Sequence, residues 1–230
     1  MDDGPAPARV RRTKAEQRAE TLEQILDAAE FLFAKNGLHG VTLRDVAQRV
    51  GVHTTLLHYY FEDKRSLFEA VFARRAGVTS GRRIAALERY EAEAGDQPTV
   101  EGALHAFLDT DLDLYIEGGA PWMNYAAFCA RVSNTLEGAE LMDVHFDPVV
   151  LKLVGILKRA LPDTPEADIF WGYHFVTGSL MNTLARTGRI DRLSGGLCHS
   201  DDFAAVRRRM ARFMAAGFLA LSADAASADG

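Results

Sequence analysis

The residues from Val41 to Phe72 constrain the fold more than any other part of the chain, because they predict two short helices joined by a tight turn. Thr42 stands at a helix N-cap position and Asp45 follows three residues later, so the hydroxyl can accept a backbone N–H and the carboxylate favours the positive helix end. The helix after this cap carries apolar residues at helical spacing, at Leu43, Val46, Ala47 and Val50. Gly51 can adopt the left-handed conformation that ends a helix, so a second helix should follow at once.

This second helix has one apolar side and one polar side. Its apolar and aromatic side consists of Leu56, Leu57, Tyr60 and Phe61. Its more polar side consists of His53, Thr54, Thr55, His58 and Tyr59. A DNA major groove admits one α-helix whose polar side chains meet the base edges. The pair of helices therefore suits a DNA major groove.

The net charge of −6 is unusual for a protein that binds DNA, but the charge is unevenly distributed. Residues 1–83 contain 14 Lys+Arg and 11 Asp+Glu, whereas residues 84–230 contain 12 and 21. The basic residues concentrate near the N-terminus at Arg9, Arg11, Arg12, Lys14 and Arg18. This segment can follow a phosphate backbone, and the alternative is a solvated tail without a role. The acidic half is a poor candidate for a second nucleic-acid surface.

Composition and patterning predict an all-α fold. The apolar and charged fractions are those of an ordinary globular protein, and 230 residues can bury a substantial core. Apolar residues recur with helical period through most of the chain, while no run alternates long enough for a strand. The chain has no apolar stretch of membrane-spanning length and no signal-peptide pattern, so we expect a cytoplasmic protein. Cys129 and Cys198 lack the spacing of a zinc site, and we expect no metal and no cofactor.

The linear order of motifs in residues 21–72 resembles the tetracycline-repressor (TetR) family of bacterial transcription regulators. The match comprises a first helix ILDAAEFLFAKNG, then GVTLRDVAQRVGV, then a short helix ending in HYYF, then Lys64 and the pair Leu67-Phe68. The resemblance implies an N-terminal three-helix DNA-binding domain and a larger helical C-terminal domain. It also implies a homodimer that reads a palindromic or near-palindromic operator in double-stranded DNA. The last two long helices, near 165–188 and 201–221, would form the interface.

Four segments follow from this comparison and from composition. We expect a flexible basic leader at 1–12, the helix-turn-helix domain at 13–65, a regulatory and dimerisation domain at 66–221 and a flexible tail at 222–230. The first helix should begin at Thr13, which forms a capping-box pattern with Glu16. Asp63 should cap a long fourth helix, near 64–92, that joins the basic half to the acidic half.

The resemblance also assigns the residues that contact DNA. It places Thr42 and Arg44 at the start of the second helix, where phosphate contacts and some base contacts occur. It directs Thr54, Thr55 and His58, in the polar set that begins at His53, toward base edges. It places Tyr59, Tyr60 and Lys64 where phosphate contacts are usual. The chain departs from the common family pattern at Thr55-Leu56 and at His58, so the operator sequence cannot be read from the resemblance.

The acidic half contains enough large side chains to line a ligand pocket as well as a core. The candidates for ligand binding are Phe107, Leu112, Tyr115, Trp122, Met123, Tyr125, Phe128, Phe146, Trp171, Phe175 and Ser179. For each aromatic residue, packing in the core is the alternative. The run ADIFWGYHFVTGSLMNTLA is similar to TetR members that respond to fatty acids, acyl-CoA or other apolar metabolites. The resemblance thus implies a repressor released from its operator by a small apolar effector of the acyl or aromatic class.

Two other classes of function remain as alternatives. An enzyme could use the pairs His105 with Asp109 or His145 with Asp147, although ordinary surface pairing explains both. A helical protein-binding or architectural module could keep the helix-turn-helix shape without reading DNA. The sequence has no glycine-rich phosphate loop, no GxSxG nucleophile elbow and no HExxH zinc motif, so the enzyme alternative lacks a recognisable motif.

Overall fold

A computed structural model describes the backbone of residues 13–228 and the side chains of residues 13–223. Within this part the chain forms helices and no strands, which confirms the all-α prediction. The helices are α1 (Lys14–Asn36), α2 (Leu43–Val50), α3 (Thr54–Tyr60), α4 (Lys64–Ala94), α5 (Val100–Glu117), α6 (Gly119–Val132), α7 (Leu136–Ala160), α8 (Glu166–Leu184), α9 (Arg189–Leu193), α10 (Phe203–Arg207) and α11 (Met210–Ala228). No helix in the described part is long and apolar enough to cross a membrane.

The predicted helix starts in the N-terminal part are confirmed. The Thr13 hydroxyl accepts from the Glu16 N–H at 3.2 Å, and the Thr13 N–H donates to the Glu16 carboxylate at 2.7 Å. Asp63 caps α4 by accepting from the Ser66 N–H at 2.8 Å. Gly51 ends α2 with φ of +80°, in the left-handed region that favours glycine. Local hydrogen bonding therefore fixes the entry angles of α1, α2 and α4.

The C-terminal part differs from the sequence prediction in two places. The single helix expected over 201–221 is instead α10 and α11, separated by a turn at Arg208 and Arg209, and Arg207 reaches α5 to pair with Asp113 at 3.0 Å. The helix expected over 165–188 ends at Leu184, because Arg186 takes a positive φ of 45° and donates to the Met123 carbonyl at 3.0 Å. A short helix, α9, then follows.

Of the two predicted end segments, the structure describes only part of the tail. The basic leader at 1–12 lies outside the described residues. The tail expected at 222–230 is helical as far as Ala228, because its alanines have the highest helix propensity of all residues. The predicted domain division at 65/66 falls just inside α4, which begins at Lys64.

One continuous hydrophobic core extends from α1 to α11. Its N-terminal end contains three packed rings, one from each of α1, α4 and α6. Phe33 and Phe128 each lie 5.1 Å from Phe68 between ring centroids, and 6.3 Å from each other. Aromatic pairs at such distances stabilise a core beyond the area they bury. The core thus joins the helix-turn-helix to the larger helical part without a break.

A buried acid strengthens the same junction. The side chain of Glu30 in α1 is 2% exposed and accepts from Arg75 at 2.8 Å and from Arg74 at 3.0 Å, both in α4. Burial raises the pKa of Glu30, and the two guanidinium groups oppose this effect. From α6, Arg131 donates to the carbonyls of Ala34 and Lys35 at 3.1 Å each, which satisfies orphan carbonyls at the end of α1. Helix α1 is therefore held from two sides.

Candidate DNA interface and ligand cavity

The α2–α3 pair forms a compact helix-turn-helix with a polar outer side. Val46, Ala47 and Leu57 are buried between the helices and α1. Thr55, His58 and Tyr59 are exposed, and Thr54 is half-buried at the start of α3. The outer side therefore presents the polar set that the sequence places there.

The start of α3 is fixed by side-chain contacts. His53 is the N-cap of α3, and its Nδ1 lies 2.8 Å from the Thr55 hydroxyl and 3.4 Å from the Thr55 N–H. An imidazole in this position satisfies one orphan donor of the helix. The contact holds His53 and Thr55 as a pair before any ligand is bound, so changing either one should also move the other.

Thr42 is similarly engaged at the start of α2. Its hydroxyl donates to the Asp45 carboxylate at 2.6 Å and accepts from the Asp45 N–H at 3.2 Å. The hydrogen bonds from Thr42 lower the pKa of Asp45 below its usual value. Arg44, two residues after Thr42, is exposed, and its charge acts on the neighbouring Asp45 without a side-chain hydrogen bond among the described residues. Arg44 is thus better placed than Thr42 to reach a phosphate.

Two tyrosines and an arginine form a cluster where α3 meets α1. The Arg18 guanidinium lies 4.8 Å from the Tyr59 ring centroid and 5.6 Å from that of Tyr60. The Tyr60 hydroxyl donates to the Arg18 carbonyl at 3.2 Å, whereas the Tyr59 side chain is 62% exposed. Tyr60 therefore connects α3 to α1 by a hydrogen bond, and Tyr59 is the solvent-exposed member of the cluster. Lys64 is half-buried as the first residue of α4, directly beyond this cluster.

A cavity of about 270 Å³ lies in the C-terminal half, bounded by α4, α5, α6, α7 and α8. Four of the eleven predicted ligand-binding residues line it, namely Phe107, Tyr115, Tyr125 and Phe146. Two residues of α4, Thr79 and Arg83, form part of its wall. The helix that begins beside the DNA-facing cluster therefore continues into the wall of the cavity.

Comparison with known proteins agrees with both features. Residues 25–71 match the family model described as bacterial regulatory proteins, tetR family, and residues 105–217 match the tetracyclin repressor-like C-terminal domain. The chain belongs to the TetR family. It is a DNA-binding transcriptional regulator with a C-terminal ligand-binding domain.

Individual relatives support this assignment. The chain is 28% identical over 177 residues to the HTH-type transcriptional regulator BetI of Escherichia coli, which covers 77% of this chain and 87% of BetI. The solved FadR regulator from Bacillus subtilis, in complex with stearoyl-CoA, has a TM-score of 0.52 and 18% identity over 85% of this chain and 98% of FadR. A mutant of HlyIIR has a TM-score of 0.58 and 16% identity over 88% of this chain and 97% of that protein. The two structures share the TetR fold.

The other predicted ligand-binding residues of this TetR regulator lie away from the cavity. Leu112 and Phe128 are fully buried in the core. Trp122 and Met123 are partly buried on α6, where Trp122 lies 4.9 Å from the Arg75 guanidinium. The outer side of α8 carries Trp171, Phe175 and Ser179. Of these three, Phe175 and Ser179 line a shallow groove between α8 and α11.

Several cavity residues were absent from the sequence prediction, above all the ion pair of Arg83 and Asp111. Arg83 Nη2 lies 2.9 Å from Asp111 Oδ2, and both side chains are buried. A signal was present in the sequence, because each residue occupies the helical position of a core residue. Arg83 lies one turn before Leu87, and Asp111 lies between Leu108 and Tyr115. A charged residue in such a position predicts a buried pair.

Burial controls the titration of the cavity wall. It raises the pKa of the Cys129 thiol to about 12, so this cysteine is protonated at neutral pH. Burial also raises the pKa of Asp111, with Arg83 acting in the opposite direction, and raises the pKa values of Tyr115 and Tyr125 well above their usual value. At this buried part of the wall an ion or polar group therefore needs a partner.

The histidine pairs considered for an enzyme have local roles in the structure. His105 Nδ1 lies 3.0 Å from Asp109 on the surface of α5. The His145 ring packs 5.5 Å from that of Phe72, and its carbonyl accepts a hydrogen bond from the Ser80 hydroxyl. Among the described residues, no group of three or more His, Cys, Asp or Glu is arranged to hold a metal ion. The family and its relatives are transcription regulators and not enzymes.

Proposed function

We propose that this TetR regulator is a repressor that binds a palindromic operator as a homodimer and leaves it when a small effector fills the cavity. The observation that carries the proposal is the course of α4. This helix begins at Lys64 beside α3, which is the proposed recognition helix, and contributes Thr79 and Arg83 to the cavity wall. A ligand that displaces this wall changes the angle of α4. A coupling free energy of about 1–3 kcal/mol would change operator affinity about 5- to 150-fold.

The proposed DNA contacts follow from the exposed side of the helix-turn-helix. Thr54, Thr55 and His58 face base edges in the major groove, with His53 fixing the position of Thr55. Arg44, Tyr59 and Lys64 contact phosphates, and Thr42 and Tyr60 support α2 and α3 through the contacts described above. In the dimer, the two recognition helices must enter successive major grooves, about 34–36 Å apart.

The proposed dimer interface is the apolar groove between α8 and α11. Phe175 and Phe213 are both largely exposed and line this groove together with Met214 and Phe218. Gly217 beside them is exposed and permits close approach of a second pair of helices, whereas Gly172 is buried against Phe218 of the same chain. Exposed apolar patches of this kind mark interaction sites, so a second copy of the chain is the natural partner.

The proposed effector is a small molecule with an apolar body, of the acyl or aromatic class. The cavity wall is largely apolar and aromatic, with a few polar groups that can orient a ligand. Its volume of about 270 Å³ lies near the lower end of the usual range for ligand pockets, roughly 300–1,000 Å³, so the ligand should be compact.

Selection of duplexes from a random pool by the purified protein tests the operator part of this proposal. A recovered palindrome whose half-sites are about one helical turn apart is the expected result. The absence of any enriched sequence would contradict DNA readout. Repetition of the binding assay with apolar compounds then tests release, and stabilisation of the protein by the same compounds in a thermal-shift assay should accompany it.

Two substitutions in α3 should change sequence preference. Thr54→Ala and His58→Ala should each relax the choice of base at one operator position, because a good base contact contributes about 1–3 kcal/mol of discrimination. Binding profiles of each variant against single-base operator variants measure this effect. An unchanged profile would mean that the residue does not contact a base, and that it either packs within the protein or contacts a phosphate.

Lys64→Ala should weaken binding to all duplexes alike. One lost phosphate contact should lower the slope of log affinity against log salt by about one. Gel-shift titrations at several salt concentrations measure the slope. Lys158→Ala, which removes an exposed lysine far along α7, is the matched control and should leave the slope unaltered. A Lys64→Ala slope equal to that of the control would remove Lys64 from the interface.

A further inference from the structure

The charges that line the cavity point to the chemical class of the effector. Three carboxylates, those of Asp111, Asp143 and Asp147, and one guanidinium, that of Arg83, lie among the described lining residues. With His174 neutral, the formal charge of the lining is −2. A cavity with this field concentrates cations and disfavours anions.

Arg83 is a poor partner for an incoming acid, because two of its three guanidinium nitrogens are already engaged. Its Nη2 contacts Asp111 at 2.9 Å, its Nε donates to the Phe107 carbonyl at 3.1 Å, and its guanidinium lies 4.2 Å from the Phe107 ring centroid. A carboxylate ligand that took Arg83 would leave Asp111 buried without its partner. Breaking a buried pair in this way is strongly destabilising.

Asp143 and Asp147, in contrast, are available at the mouth of the cavity. They lie one turn apart on α7, are exposed, and take part in no ion pair with another described residue. Like charges at this spacing repel each other weakly. Tyr173, on the facing helix α8, and Phe146, between the two aspartates in sequence, provide aromatic surface in the same cavity. A cation between them would neutralise the repulsion and meet aromatic rings.

A buried carboxylate at the inner end of the cavity gives evidence that does not depend on the two aspartates at the mouth. Asp111 is 3% exposed, and its Oδ1 atom has no hydrogen-bond partner among the described residues, although Oδ2 contacts Arg83. A buried carboxylate oxygen without a donor is costly. Asp111 belongs to the cavity lining, so a hydroxyl or N–H group of a ligand that reaches this side chain can supply the missing donor.

We infer that the effector is a cationic amine with an apolar body and a hydrogen-bond donor at its far end. Its ammonium lies against Asp143 and Asp147, its body packs among Phe146, Val150 and Leu180, and its donor reaches Asp111 Oδ1. The inference rests on the proposed function, in taking this cavity as the effector site. It retains the apolar body of the predicted effector and adds a basic head.

Calorimetric titration with three compounds of matched shape tests the inference. Tyramine carries an ammonium and a hydroxyl, phenethylamine lacks the hydroxyl, and hydroxyphenylpropionate carries a carboxylate in place of the ammonium. Tyramine should bind most tightly, phenethylamine about fivefold more weakly through the lost hydrogen bond, and hydroxyphenylpropionate most weakly. Octylamine and octanoate form a second pair, in which the amine should again bind more tightly.

The double variant Asp143→Asn with Asp147→Asn should weaken amine binding about five- to tenfold, as expected for two partly exposed ion pairs. The control is Asp96→Asn with Asp163→Asn, which removes two exposed carboxylates away from the cavity and should leave amine affinity unchanged. The control variant should bind the selected operator like the wild type in the absence of amine.

The possible results separate this inference from the proposed function. Binding of the carboxylates as tightly as the amines, or equal affinities of the two double variants, would overturn the amine assignment. The cavity would remain the effector site if such an acid released the operator. Failure of every amine to bind would also overturn the assignment. Failure to select an operator would contradict the proposed function itself and leave the amine titration as a separate result.

Discussion

Glu30→Ala should lower the free energy of unfolding by about 3 kcal/mol, which is the low end of the cost of removing one partner from a buried ion pair. The substitution leaves Arg74 and Arg75, whose side chains are 15% and 14% exposed, without the acid that both contact. Arg74 keeps Asp27 at 2.9 Å and Glu23 at 3.1 Å, which limits the loss. Urea denaturation followed by circular dichroism measures the change.

Glu23→Ala is the matched control for this prediction. Glu23 contacts the same guanidinium, that of Arg74, but its side chain is 62% exposed, and exposed ion pairs contribute about 0–1 kcal/mol. The control should therefore unfold close to the wild type. Equal losses in the two variants would mean that burial of Glu30 does not set the strength of the α1–α4 junction.

Phe213→Glu should convert the proposed dimer to a monomer and reduce operator affinity by more than about 100-fold. Phe213 is 74% exposed in the α8–α11 groove, opposite Phe175. In a two-fold symmetric interface, both copies would carry the new carboxylate in the apolar contact. Burial of a charge without a partner costs free energy, so the interface would be destabilised. The monomer can reach only one half-site. Sedimentation analysis measures the oligomeric state, and gel shift measures affinity.

Leu136→Glu is the control for the dimer prediction. Leu136 is 89% exposed at the start of α7, away from the groove, so the variant adds the same charge at an exposed apolar position. It should remain dimeric and bind the operator normally. A dimeric Phe213→Glu protein with normal affinity would exclude the α8–α11 groove as the interface.

Local signals made the N-terminal part of the fold predictable from sequence. The hydroxyl of Thr42 and the carboxylate of Asp45 are only three residues apart, and the turn at Gly51 depends on one residue's conformation. Such features are decided within a single helical turn, so they can be read directly. The same holds for Thr13 and Asp63, and the helices that they begin lie where the pattern places them.

The cavity was only partly predictable, because its wall depends on how five helices pack. Periodicity marks the inner side of α5, yet Phe107 faces the cavity while Leu112 lies in the solid core. On α8 the core side cannot be identified from periodicity, because the outer side is also apolar. Trp171 and Phe175 are exposed at positions where a monomeric protein would carry polar residues. Periodicity records apolar character and does not distinguish a core, a pocket and an interface.

The contacts that hold α1 limit how this regulator can be recombined with its relatives. A chimera that took its DNA-reading segment from another TetR protein and kept α4 and α6 from this chain would place a foreign α1 against Arg74 and Arg75. Arg131 donates only to backbone carbonyls of α1, so this contact does not depend on the sequence of α1. The guanidinium groups of Arg74 and Arg75, in contrast, require an acidic residue at the position of Glu30. A donor segment should therefore give a stable hybrid when it carries Asp or Glu at the position of Glu30, and a destabilised one when it does not.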